Sequence, residues 1–161
     1  MTTATRAHEF FHKHLIPSIE DWLERETEIH RAMAVATNLS HMADYYWHSF
    51  SETEPEKVFG QSSLKNFRAE LGRRYPDFAL IRDICDTHKH LKLDRADRCV
   101  TSAGQSTTAT MGWGEGKWGE ARWGSAVEIV VTDDGGSKHH FRTLVHNTEE
   151  MWNSLLGRTP H

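Results

Sequence analysis

Cysteine is nearly absent: Cys85 and Cys99 are the two in 161 residues. They lie too far apart for a CxxC pair, which excludes a disulfide framework and a cysteine-based zinc site, so free buried thiols are expected. Long apolar runs are missing too. The opening MTTATRAHEFFHKHLIPSIEDW breaks its apolar residues with His, Lys, Glu and Asp, so neither a signal-peptide core nor a membrane span is predicted there. A cytoplasmic protein with no membrane partner is the expectation. An excess of basic charge is also lacking, with 19 Lys and Arg against 23 Asp and Glu, too few for a broad footprint on duplex nucleic acid. Phosphate loops of the Walker or dinucleotide type are absent, because the glycines alternate with tryptophans instead of preceding a helix, so no nucleotide cofactor is expected. No serine or cysteine motif stands with a matching base. What remains, with 37% hydrophobic residues, suffices for one domain, 1–161, around a single core.

Phe10, Phe11, Leu15, Ile19, Trp22 and Leu23 recur at helical spacing. Pro17 among them predicts a kink or a restart, since proline has no amide hydrogen to give the preceding turn. Thr27 is placed to cap a long helix running to about residue 50. After the polar loop SETEPEKVFG, Ser62 or Ser63 can cap a short helix with Leu64, Phe67 and Leu71 inward. Pro76 opens another, because a first helical turn tolerates proline. Residues 1–94 are thus predicted as an up-and-down bundle of four to five helices.

Beyond residue 98 the period changes. AVEIVV and HHFRTLVH flank TDDGGSK, where Asp134 and Gly135 carry the turn chemistry of a hairpin, so residues 98–146 are expected to form an antiparallel β-hairpin or small sheet. Asn147 followed by Glu150 reads as a capping box ahead of Met151, Trp152, Leu155 and Leu156, which predicts a short C-terminal helix over 147–157. The expected fold class is α+β.

Inside this β segment, GWGEGKWGEARWGSA repeats Trp113, Trp118 and Trp123 every five residues, each followed by glycine. Five matches neither the strand nor the helix period; successive Trp-Gly turns in a loop over 112–125 match it better. With Lys117 and Arg122 between the rings, the loop has the parts of a stacking rack, which makes single-stranded RNA or a protein a candidate partner. The simpler reading folds the indoles back as a cover over the bundle, since three exposed rings are unfavourable.

Histidine is in excess, with 12 spread along the chain. At ~100° per residue, His30, Thr37, His41, Asp44 and His48 share one side of the long helix, and Val35, Leu39, Met42, Ala43, Tyr46, Trp47 and Phe50 the other. From Ala32 to Ser49 there is no Lys, Arg or Glu, so the polar stripe is built for short, directional contacts. The helix after Pro76 repeats the arrangement, with Asp83, Asp86 and His90 on one face. His88 falls on the apolar side as a hydrogen-bonded core histidine. Asp-x3-His thus occurs twice, as Asp44 with His48 and as Asp86 with His90, and a carboxylate and an imidazole one turn apart can hold one cation. Facing carboxylates repel by roughly 3 kcal/mol per pair at ~5 Å and an effective dielectric of ~20. Something positive must then lie between them: a divalent metal (zinc, iron, manganese or nickel), protonated histidines, or Arg82 and Lys89. The expected site is one polar pocket lined by His41, Asp44, His48, Asp83, Asp86 and His90.

HMADYYWH, LIRDICDTHKHLKL, the Trp-Gly repeats and the closing VVTDDGG hairpin with its Trp-bearing helix together resemble a group of uncharacterised bacterial and phage-associated proteins, over most of the chain. The shorter stretch RDICDTHKH also resembles the arginine-to-histidine motif of the HEPN superfamily, helical bundles that include metal-independent ribonucleases of toxin and phage-defence systems. That resemblance implies a role for Arg82 and either His88 or His90 in phosphodiester cleavage. Three functions therefore stay open: a His/Asp metal site, a metal-independent ribonuclease, and a non-catalytic binding module using the Trp-Gly loop. A homodimer is compatible with each.

Overall fold

The computed structural model describes residues 5–89, 98–109 and 128–157. The first helix, α1 (Arg6–Phe10), opens at Thr5, whose hydroxyl accepts from the His8 amide. It runs through a π-helical turn, Phe11–Leu15, into α2 (Ile16–Glu24). The effect expected at Pro17 is thus a change of hydrogen-bond register: the Ile16 N–H reaches back five residues to the Phe11 carbonyl, and the helix continues past a proline that cannot donate.

Helix α3 (Ile29–Phe50) is the long element against which the others pack. Its cap is Glu28, not the expected Thr27. The Glu28 carbonyl accepts from the Arg31 and Ala32 amides, and its carboxylate is gripped by Arg31 Nε at 2.7 Å. Ala32, Val35, Ala36, Leu39, Met42, Ala43, Tyr46 and Phe50 form the buried face, the stripe that the 3.6-residue period requires. After a 3-10 turn (Pro55–Val58), α4 (Leu64–Arg74) starts at Ser63, whose hydroxyl accepts from the Asn66 amide at 3.2 Å. Phe67 and Leu71 of α4 are fully buried. Pro76 opens α5 (Pro76–Lys89).

The sheet has three strands in the order β1 (Ser106–Ala109), β2 (Glu128–Thr132), β3 (Lys138–His140), antiparallel at both seams, with Val131 opposite Ser106 on one side and His139 on the other. Its hairpin turn is organised by Asp133 rather than by Asp134 and Gly135. The Asp133 carboxylate accepts from the Gly135 and Ser137 amides at 3.0 and 2.9 Å, and Gly136 takes the positive φ of 86°.

Helix α6 (Phe141–Leu155) follows β3 directly. Most of the expected strand HHFRTLVH is therefore helix, and the helix begins well before residue 147. The reason is packing: Phe141, Leu144, Val145, Thr148, Met151 and Trp152 bury one continuous helical face, which outweighs the strand preference of Phe, Thr and Val. Asn147 is no cap; its side-chain amide donates to Asp77 at 2.6 Å. The fold is α+β, an N-terminal helical bundle followed by a small antiparallel sheet and a C-terminal helix. No described helix is long and apolar enough to cross a membrane.

Candidate functional site

Helices α3 and α5 pack side by side, but the side chains of the expected pocket fall into separate partnerships. His41 Nε2 lies 3.5 Å from Lys89 Nζ of α5. Asp44 pairs with Arg68 of α4 at 2.8 Å. Asp86 pairs with Arg98 at 2.9 Å. Asp83, 0% exposed, accepts on Oδ1 from Arg98 (2.6 Å) and Arg82 (3.1 Å) and on Oδ2 from the amides of Cys99 (2.8 Å) and Val100 (3.4 Å). His48 is exposed. His90, Trp113, Lys117, Trp118, Arg122 and Trp123 lie outside the described residues.

The positive charge beside these carboxylates comes from arginine, while Lys89 meets the His41 imidazole. Lys89 and Arg82 were legible on α5 itself, whereas Arg68 and Arg98 sit on other segments, at separations that no local pattern ties to Asp44 or Asp83. Among the described residues, no group of three or more His, Cys, Asp or Glu could hold a metal ion. His88 is exposed, in contrast to the core position expected for it. On an ideal helix it points about 120° away from Arg82, whose guanidinium is already committed to Asp83.

Burial and the neighbouring Lys89 push the His41 imidazole below its ordinary value, with Arg68 acting in the same direction and Asp44 and Asp86 opposing. The unfolded chain therefore takes up this proton more readily than the folded one, so stability declines as pH falls below about 6.5. Partial burial shifts His88 the same way. Urea midpoints measured at pH 7.5 and 5.0 should fall on acidification, and His41→Asn should reduce the drop. An unchanged drop in the variant would show that the α3–α5 seam is not its source.

Between α4, α5 and the hairpin is a cleft of about 540 Å³. Ala69, Gly72 and Arg73 of α4 and Ala79, Leu80 and Arg82 of α5 line it, facing Cys99, Asp133 and His139. Gly72 has a steric role here: a Cβ on it would meet Arg82 Nη1 at 3.3 Å, so its absence lets the guanidinium lie against α4. His139 Nε2 is 2.9 Å from Asp133 Oδ2, and this hydrogen bond is the main cause holding the Asp133 carboxyl below its usual range. Cys85 is a buried thiol as expected, but Cys99 is exposed. Partial burial, then the Asp83, Asp133 and Asp134 carboxylates, push the Cys99 thiol up, against Arg82. At neutral pH it is a thiol and a poor nucleophile.

Fold and site together define an α+β protein in which Asp44, Asp83, Asp86 and Asp133 are held by internal partners and a cleft lies between two helices and a hairpin. No protein-family model matches the chain, and no curated protein or solved structure is detectably similar to it.

Proposed function

We propose that the protein is a non-catalytic binding module and that the cleft between α4, α5 and the β2–β3 hairpin receives its ligand. One observation carries this reading: a cleft of small-molecule size, floored by Ala69, Gly72, Ala79 and Leu80, in which the charged groups already have partners inside the protein. Arg82 holds Asp83, His139 holds Asp133 and Arg73 holds Glu70. Groups so engaged orient a ligand but are poorly placed to move protons or stabilise developing charge. Indole serves as an apolar probe. Titration followed by amide chemical shifts should perturb Gly72, Ala79 and Cys99, and Ala79→Trp, which fills the cleft, should remove those shifts with the far-UV circular dichroism unchanged. Shifts scattered elsewhere, or persisting in the variant, would overturn the assignment.

A second reading, a divalent metal between α3 and α5, draws on His41 lying within electrostatic reach of both Asp44 and Asp86. It requires Lys89, Arg68 and Arg98 to yield those positions. Elemental analysis of untagged protein separates the two: stoichiometric metal supports this reading, and its absence leaves the ion-pair network as the seam's sole content.

A further inference from the structure

We infer that the ligand of this cleft is dipolar: an apolar body with a carboxylate at one end and an ammonium at the other, as in a short peptide zwitterion. The inference rests on the binding-cleft reading above and adds the chemistry of the occupant. On the α4 side, Glu70 is shared by two guanidiniums, Arg73 at 2.6 and 2.8 Å and Arg74 at 2.6 Å. Those hydrogen bonds hold the Glu70 carboxyl down to about 2, so at neutral pH the group is fully ionised. Two cations against one carboxylate leave a surplus positive charge, and Arg73 is the member that lines the cleft.

On the hairpin side the sign reverses. Asp133 carries its charge into a turn built around it, with Oδ1 taken by two amides and Oδ2 by His139. Asp134 follows, its Oδ1 accepting from Thr101 and Gln105 at 3.0 and 2.8 Å. Asp133, which lines the cleft, and Asp134 beside it give this rim its carboxylates. Arg82, which also lines the cleft, is paired with Asp83 at 3.1 Å. An apolar floor with a positive rim on α4 and a negative rim on the hairpin is complementary to a ligand with the opposite polarity at its two ends.

The test uses the full chain and three probes: the tripeptide Ala-Leu-Ala, its acetylated and amidated form, and indole. The free tripeptide should bind roughly fivefold or more tightly than the capped one, a modest preference because both rims are solvent-facing. Arg73→Glu should abolish that preference while leaving the indole response intact. Equal affinity for the two peptides, or a preference that survives the substitution, would overturn the dipolar ligand. Indole binding without either peptide would overturn it too while leaving the cleft as a binding site. Failure of all three probes would remove both readings.

Discussion

Asp83→Ala should lower the free energy of unfolding by about 3–5 kcal/mol, the usual cost of removing one partner from a buried, hydrogen-bonded ion pair. The carboxylate is fully enclosed and accepts from both Arg98 Nη1 and Arg82. Its loss takes one carboxylate from Arg98, whose side chain is 6% exposed and still meets Asp86, and frees the amides of Cys99 and Val100. Asp83→Asn keeps the shape and should recover part of the loss, since one amide oxygen can still accept. Urea unfolding of the three proteins gives the answer. A loss below about 1 kcal/mol would mean that solvent reaches Arg98 and that the clasp is dispensable.

Trp152→Ala should cost a similar amount, about 3–5 kcal/mol, through a different cause. The indole is 0% exposed and sits between Tyr46 and Phe78, with ring centroids at 5.7 and 5.8 Å. Its Nε1 donates to the Leu39 carbonyl at 3.0 Å, so truncation leaves a cavity and also removes a hydrogen bond that ties α6 to the backbone of α3. Because Trp152 joins α6 to α3 and α5, near-ultraviolet circular dichroism should collapse with the unfolding midpoint. Trp152→Phe keeps much of the volume and should cost less; equal losses would place the effect in the hydrogen bond and not in the packing.

The bundle was legible because its helices obey one period. Phe67 and Leu71 with the Ser63 cap, or Leu39, Met42 and Tyr46, leave little alternative. The start of α6 was not, because Phe141 to Val145 fits a strand and a helix equally well until Trp152 and Met151 show which face is buried. Strand β1, four residues of Ser, Thr and Ala, has no hydrophobic alternation to announce it. A need for positive charge beside the two polar stripes follows from the sequence, since Coulomb repulsion is computable from spacing. Its source was not legible: a helical wheel gives the direction of a side chain and says nothing of what meets it, and the arginines that meet Asp44 and Asp83 come from α4 and from the segment that returns at residue 98. The cleft was invisible for the same reason, as it is assembled from three segments that share no motif.

The π-helical turn at Phe11–Leu15 has a consequence for how the two halves of the N-terminal helix are aimed. On an uninterrupted α-helix, Phe10 and Trp22 would point about 120° apart, whereas a turn that absorbs one additional residue brings them to within about 20° of each other. Both rings are buried, as are Ala7 and Ile19. The wide turn thus behaves as a phase corrector, a one-residue insertion that keeps the apolar stripe of α1 aligned with that of α2. Removing one residue from it while keeping regular α-helical geometry would leave that alignment intact, whereas forcing regular geometry at full length would rotate α1 off the core.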